Sequence, residues 1–167
     1  MRSMRRVKAR NLEMPRVVFD QKALEKTLRF RQLNGQAEAG GILLGMFFPA
    51  ENKLHVMFAT SPGGQDARGP CSFKRDARRS TRIARIIWQQ SKGQVHYLGE
   101  WHTHPEEHPR PSCLDRLSMA RLLKHSTVVT RGLVLLIVGQ RSNFFGFWTK
   151  YGFVSVDIEI KSASSVD

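Results

Sequence analysis

The stretch GEWHTHPEEHPRPSCLD, residues 99–115, concentrates three histidines, four acidic residues and three prolines directly after an apolar run. The residues that lead into it, QVHYLGEW, have the composition of a β-strand, and SCLDRLSMARLLKHS has the spacing of a helix whose N-cap is Ser112. Between them, the prolines fix φ at three places. We therefore expect a stiff loop that holds the end of a strand at a set distance from the start of a helix.

Upstream of this junction, the sequence predicts a strand, a helix, two antiparallel strands and an amphipathic helix. These segments are RVVFD, which ends in the helix cap Asp20, then QKALEKTLRFRQL, GILLGMFF, KLHVMFAT and DARRSTRIARIIWQQS. In the last segment, Ile83, Ile86 and Ile87 are expected to face inward and the arginines outward. The intervening SPGGQDARGP has the composition of a loop.

Downstream of the junction, GLVLLIVG, NFFGFWTK and GFVSVDIEI predict three more strands. The resulting order, β-α-β-β-α-β-α-β-β-β, mixes helices into a mainly antiparallel or mixed sheet. It therefore predicts one α/β or α+β domain. The domain is expected over residues 15–161, between a basic N-terminal tail, residues 1–14, and a second tail, residues 162–167.

Length and composition fit one globular domain. The chain has 167 residues, of which 41% are hydrophobic, and no apolar run reaches the roughly 20 residues that a membrane-spanning helix needs. The basic N-terminal segment is not followed by an apolar one, so no secretory signal is expected and the cytoplasm is the expected location. The two cysteines, Cys71 and Cys113, form no disulfide framework.

The net charge of +13 is the outlier, and it predicts an acidic partner such as nucleic acid, anionic lipid or an acidic protein. Part of the charge recurs at helical spacing, in Lys74, Arg75, Arg78, Arg79, Arg82 and Arg85. This pattern fits a solvated helix face, and it also fits a face that binds an acidic partner. Because no aromatic residues alternate with these arginines, stacking on single-stranded bases has little support.

The junction itself predicts a metal site. His102 and His104 are one residue apart, so on an extended strand end both side chains lie on the same side. Asp115, one turn into the following helix, is the best third ligand, and His, His and Asp with one water complete an open, catalytic zinc sphere. Each part also has a plainer interpretation, since His-x-His pairs are common and Ser-x-x-Asp is an ordinary helix start.

A hydrolytic zinc site needs a general base that is not itself a ligand. The chain offers Glu38, Glu100, Glu106 and Glu107. Glu100 shares the histidine face by strand parity, whereas Glu38 precedes paired glycines that permit a close backbone approach at a strand start. The physics of the sequence does not choose between them.

Taken together, EAGGILLG (Glu38–Gly45), His102-Thr-His104-Pro and Ser112-Cys-Leu-Asp115 resemble the JAB/MPN metalloprotease family and its JAMM motif. The resemblance implies a cytidine-deaminase-like domain, a mixed curved sheet flanked by helices. It implies Glu38 as general acid/base, the two histidines and Asp115 as zinc ligands, and Ser112 as a donor to the oxyanion. All five positions are filled, which argues against a non-catalytic interaction module. Glu100 is then expected to orient a histidine, Cys113 is a weaker rival ligand, and Glu106, Glu107 and His108 are expected to be loop surface.

The loop PEEHPRPS and the small size resemble one prokaryotic subgroup, the JAB peptidases encoded with ubiquitin-like conjugation enzymes, notably the deconjugating peptidase of CBASS anti-phage operons. The resemblance implies an isopeptidase that hydrolyses an amide bond at the C-terminus of a ubiquitin-like or conjugated protein, here a cGAS-like nucleotidyltransferase (CD-NTase). An extended substrate tail is expected to add to a strand edge, with KLHVMFAT or SPGGQDARGP lining the groove, and an acidic protein surface to meet the basic helix. The alternative is a nucleic-acid-associated JAB-fold protein without peptidase activity.

Overall fold

The computed structural model describes residues 14–162, so most of both predicted tails, residues 1–13 and 163–167, lies outside the described residues. The elements are β1 (Arg16–Asp20), α1 (Gln21–Leu28), β2 (Gly40–Phe48), a 3₁₀ turn (Pro49–Glu51), β3 (Lys53–Ala59), β4 (Ala67–Gly69), β5 (Ser72–Lys74), α2 (Ala77–Gln90), β6 (His96–Thr103), α3 (Cys113–His125), β7 (Gly132–Val138), β8 (Asn143–Thr149), β9 (Gly152–Ser155) and β10 (Ile158–Lys161). None of the described helices is long and apolar enough to cross a membrane.

Eight strands form one mixed sheet in the order β10-β1-β3-β2-β6-β7-β8-β9. The pairs β10/β1, β1/β3 and β6/β7 are parallel, and the other pairs are antiparallel. Helices cover both faces, which explains why every residue of β7 is buried and why its sequence is a continuous apolar run. The predicted fold class, a mixed sheet flanked by helices, is confirmed.

The two faces of the sheet have separate cores. On one face, Leu24 of α1 packs with a cluster around Phe19 and Trp101. On the other face, Met119 of α3 packs on the odd-numbered residues of β7, and Ile83 of α2 packs near β2. The second face is the one that carries the even-numbered side chains at the end of β6, so α3 stands over the histidine pair.

The sheet is curved enough to bring its two edges together. GFVSVDIEI is not one strand, as its sequence suggested: β9 pairs with β8 at one edge, and β10 pairs with β1 at the other. Only Val156 and Asp157 separate the two strands. A link from Ser155 to Ile158 spans at most about 11 Å, so the edge strands must approach each other within that distance.

Three further predictions are wrong. SPGGQDARGP is only partly loop, because its end forms β4, which pairs with β5 in a small separate hairpin. Ile86 is 43% exposed, because only Ile83 and Ile87 of the three isoleucines reach the sheet. KLHVMFAT, as β3, lies between β1 and β2 and therefore has no free edge to receive a substrate tail.

Asp20 lies at the predicted N-cap of α1 but does not cap it with its side chain. Its carboxylate is instead 2.9 Å from Nε2 of His55, on the neighbouring strand β3. The parallel pairing of β1 and β3 brings these two side chains together, and this contact competes with capping. Helix α1 therefore begins at the predicted residue, although the Asp20 side chain does not cap it.

Candidate metal centre

His102 and His104 stand side by side where β6 leaves the sheet. The backbone stays extended past the end of β6, since the amide of His104 donates to the carbonyl of Val138 at 3.0 Å. Their Nε2 atoms are 3.1 Å apart, and both residues are buried. Two imidazole nitrogens therefore converge on one point, as expected for consecutive even positions of a strand.

Asp115 reaches the same point from the first turn of α3. Its Oδ1 lies 3.2 Å from Nε2 of His102, and its Oδ2 lies 3.4 Å from Nε2 of His104. The capping box at Ser112 fixes this orientation: the amide and the hydroxyl of Ser112 each donate to Oδ2 at 2.7 Å, and the amide of Asp115 donates back to Ser112 Oγ at 3.1 Å. The capping box therefore both begins helix α3 and orients the Asp115 carboxylate toward the two histidines.

The three donors fit a tetrahedral divalent ion. The two Nε2 atoms are 3.1 Å apart, and each lies 3.2–3.4 Å from a different oxygen of the Asp115 carboxylate. Ligands held at 2.0–2.1 Å from a tetrahedral zinc lie about 3.3 Å from one another. Within residues 14–162, His102, His104 and Asp115 form the only group of three or more metal-ligating side chains whose donor atoms converge. Cys113, the rival ligand, is exposed and lies outside this group.

In the metal-free triad, electrostatics favour the ionised carboxylate of Asp115, which is its ligand form, and the protonated form of His104, which must lose its proton to bind a metal. Burial alone would raise the pKa of Asp115, but hydrogen bonds from both histidines and from Ser112 hold that pKa well below its usual value. Asp115 is therefore a carboxylate at every physiological pH. Burial lowers the pKa of His104, but the contact with Asp115 outweighs it and leaves the pKa raised.

Glu38 lines the same cavity, of about 410 Å³, as the triad. It lies just before β2 and is only 5% exposed. Burial raises its pKa to about 7, although the nearby His104 lowers it. An acid with this pKa can both accept and release a proton near neutral pH.

Backbone contacts from two directions hold Glu38 in place. The amide of Glu38 donates to the carbonyl of Gly69 at 2.8 Å, and Nε of Arg68 donates to the carbonyl of Glu38 at 2.6 Å. On the other side, the amide of Ala39 donates to Oγ1 of the buried Thr103 at 2.9 Å. The β4–β5 hairpin and the end of β6 therefore clamp this residue between them. Sequence reasoning missed both residues. Arg68 lies in a segment with the composition of a loop, and Thr103, between the two histidines, faces the other side of the strand and is fully buried.

Glu100 lines the cavity too, on the histidine face, but its carboxylate is already engaged. Nε of Arg75 donates to both carboxylate oxygens at 2.9 Å, and the hydroxyl of Tyr97 donates to Oε1 at 2.5 Å. Arg75 was expected on the exposed face of α2. It lies before the helix and is mostly buried, because Glu100 in the middle of the sheet requires a counter-charge. That buried acid within an apolar strand was the signal that could have revealed a basic partner.

The loop between the triad's two halves is anchored to the turn after β7. The amide of Gln140 donates to the carbonyl of Glu106 at 2.9 Å, and Pro109 packs against Gly139 so closely that a Cβ there would lie 2.3 Å from Pro109 Cδ. Glu106, expected to be plain loop surface, is exposed, yet its Oε2 lies 3.2 Å from Nδ1 of His104. The loop thus contributes a carboxylate next to the far side of one histidine.

Known proteins share this fold and much of this sequence. Proteins named "CD-NTase/cGAS isopeptidase" from Escherichia coli, Pseudomonas aeruginosa and Vibrio cholerae are 34%, 40% and 34% identical over 109, 89 and 131 residues. These alignments cover 65%, 53% and 78% of this chain and 66%, 55% and 80% of the relatives, so the chain spans less than two thirds of the first two.

The solution structure of protein DSY2949 from Desulfitobacterium hafniense has a TM-score of 0.65 at 22% identity, covering 89% of this chain and 95% of that one, which supports the fold. A family model described as prokaryotic homologs of the JAB domain matches residues 20–149, a span that contains the triad, Glu38 and Ser112. The chain therefore belongs to the family of prokaryotic JAB-domain proteins, as its motifs predicted.

Proposed function

We propose that this protein is a zinc-dependent isopeptidase that hydrolyses an amide bond at the C-terminus of a ubiquitin-like or conjugated protein, with residues 15–161 as the peptidase domain. The substrate we propose is a CD-NTase joined to its target, in a bacterial anti-phage system. The convergence of His102, His104 and Asp115 in one cavity with Glu38 carries the proposal. The names of the relatives support the substrate class. The cytoplasmic location stays a prediction from the sequence.

The three ligands are assigned by their donor chemistry. Two imidazoles and a carboxylate form the set that zinc takes in open catalytic sites. When bound, zinc supplies Lewis acidity that polarises a carbonyl oxygen and acidifies water. Asp115 is ionised because of its low pKa, and β6 and α3 hold all three donors on one side of the cavity.

Glu38 is assigned as the general acid/base. Its carboxylate takes the proton of the attacking water and passes it to the departing amine, so the nitrogen leaves as a neutral amine. A pKa of about 7 suits both halves of this transfer. Glu100 is not the base, because Arg75 and Tyr97 already occupy its oxygens.

Ser112 is assigned as the hydrogen-bond donor to the oxyanion of the substrate. Its hydroxyl donates to Asp115 Oδ2, so it must rotate away from this oxygen to reach a substrate. Asp115 keeps its orientation in that event, because the backbone amide of Ser112 still donates to Oδ2 at 2.7 Å.

The extended tail of the substrate is proposed to lie between the hairpin and α3. Phe73 of β5 and Met119 of α3 both line the cavity, together with Leu114 at the start of the helix. The two-stranded β4–β5 hairpin has edges at which an extended chain can add backbone hydrogen bonds. Cavity walls of this kind select for shape and extended conformation.

A cleavage assay on an amide-linked CD-NTase tail tests the proposal, with and without a zinc chelator. We expect Glu38→Ala to keep its zinc and to lose at least about a hundredfold in kcat, because it removes the proton carrier. His104→Ala is expected to lose the metal. Glu107→Ala, which changes a half-exposed loop acid, is the matched control and should stay close to the wild type.

Loss of zinc from Glu38→Ala would make this residue a ligand and end the role assigned to it. Cleavage that survives complete removal of the metal would end the proposed chemistry. The alternative function, nucleic-acid association without peptidase activity, is favoured only by the net charge of +13. Absence of DNA binding near physiological salt would remove it.

A further inference from the structure

The six cations that the sequence placed on one helix face separate into engaged and free sets. Lys74 and Arg75 lie before α2, with Lys74 in β5 and Arg75 bound to Glu100, and Nη1 of Arg79 donates to the carbonyl of Ser61 at 3.2 Å. Arg78, Arg82 and Arg85 are exposed, and no ion pair within residues 14–162 includes any of them. We call these three residues the arginine stripe.

The arginine stripe occupies one side of α2. Its positions follow i, i+4, i+7 spacing, and its members line one shallow groove together with Thr81 and Ile86. The helix contains no acidic residue that could pair with an arginine one turn away. Arg78 lies in the first turn, where the helix dipole disfavours a cation. Helix stability therefore does not account for the stripe, and solubility does not require one-sided clustering.

The surroundings of the stripe favour a protein partner over a nucleic acid. Ile86 is 43% exposed beside Arg85, and Trp88 is 48% exposed one turn from it. Arginine and tryptophan are the residue types that dominate the energetics of protein interfaces, whereas a phosphate backbone offers no apolar surface for Ile86 to cover. An acidic protein surface with an apolar centre matches both features.

The stripe groove adjoins the cavity of the candidate metal centre. Ala77, the first residue of α2, lines both the stripe groove and the cavity that contains the triad. A protein whose tail enters the cavity therefore meets the stripe with its folded part. We propose that the arginine stripe docks an acidic face on the globular body of the substrate, the CD-NTase, while the tail reaches Glu38. This inference rests on the proposed function.

The test measures binding of the unconjugated CD-NTase from the same organism, so no cleavage is needed. We expect Arg82→Glu combined with Arg85→Glu to weaken binding about tenfold and to reduce its salt dependence. Arg82→Lys combined with Arg85→Lys keeps the charge and should stay within about threefold of the wild type. Arg131→Glu combined with Lys150→Glu, an equal charge change at exposed cations outside the groove, is the matched control.

A second measurement separates docking from catalysis. The Glu pair should raise KM for a CD-NTase fusion without changing kcat, and should leave cleavage of the isolated tail peptide unchanged. Unaltered binding, equal losses in the control pair, or a wild type that binds a short DNA duplex through the stripe but not CD-NTase would each overturn the inference. Failure of the wild type to cleave the tail peptide overturns the proposed function instead, and the binding comparison still decides the stripe.

Discussion

The burial of Glu38 determines its chemistry, because burial raises the pKa of its carboxyl group. Because Glu38 is only 5% exposed, its ionised carboxylate would have little hydration, and the charge of the nearby His104 offsets only part of that cost. The pKa therefore moves from 4.5 to about 7. A residue placed this way is costly to keep ionised, which is consistent with a site built for proton transfer instead of stability.

The raised pKa predicts how the stability of the metal-free protein depends on pH. Between about pH 4.5 and pH 7 the folded protein holds a proton on Glu38 that the unfolded chain has released, so the free energy of unfolding falls as pH rises. The shift from 4.5 to about 7 corresponds to about 3 kcal/mol. Urea denaturation at pH 5 and at pH 8 measures this fall. Between these two pH values, the free energy of unfolding of Glu38→Gln should fall by about 3 kcal/mol less than that of the wild type. Parallel pH dependences in the two proteins would contradict the prediction.

The convergence of the three candidate ligands could be predicted at the residue scale because their geometry is local. His102 and His104 follow strand parity, and Asp115 follows the capping geometry at Ser112. Glu38 could not be chosen by local rules. Its position near the triad depends on the pairing of β2 with β6, in which Gly40 lies opposite His102, and only the family resemblance supplied it.

At the scale of elements, the sequence did not predict the β4–β5 hairpin or the break between β9 and β10. Three-residue strands carry too little periodicity to be recognised, and SPGGQDARGP has an ordinary loop composition. The break between β9 and β10 was missed because the sequence continues to alternate through it. Both features depend on tertiary pairing: the hairpin is bound to Glu38 through Gly69, and β10 is bound to β1.

Arg75 joins these elements, because it follows β5 and reaches Glu100 in the middle of β6. The side chains of Arg75 and Glu100 are 17% and 11% exposed, so the pair is largely shielded from water. Arg75→Ala leaves a buried carboxylate without its counter-charge, and we expect it to lower the free energy of unfolding by roughly 3 kcal/mol. Chemical denaturation measures this loss.

Two further variants show whether the buried charge is the cause. Arg75→Ala combined with Glu100→Gln removes the unpaired charge and should recover part of the stability. Arg78→Ala, three residues along the chain but exposed, should change stability by no more than about 0.5 kcal/mol. Equal losses in the single and double Arg75 variants would show that packing, not charge, explains the effect.

At the scale of the whole molecule, the candidate site assembles from parts that lie far apart in sequence. Glu38 precedes β2, His102 and His104 flank the last residue of β6, Asp115 lies in the first turn of α3, and the hairpin lines the cavity. The curved sheet provides the common frame, since β2, β6 and β7 are neighbours at its centre. The sequence could predict the order of most elements, but not the curvature, because this follows from the pairing of two edge strands with opposite ends of one sheet.

This assembly predicts that the metal stabilises the entire fold. The unfolded chain cannot hold β6 and α3 in register, so zinc at the proposed site would bind mainly to the native state, and free zinc at 100 times its Kd would add about 2.7 kcal/mol. For a chain of this size, that corresponds to a rise in Tm of roughly 5–10 °C. Calorimetry with and without a chelator should show this difference for the wild type and for Glu38→Ala, which retains all three ligands. His104→Ala, which lacks one ligand, should melt at the same temperature in both conditions. A wild-type Tm that is the same with and without the chelator would contradict a metal centre at His102, His104 and Asp115.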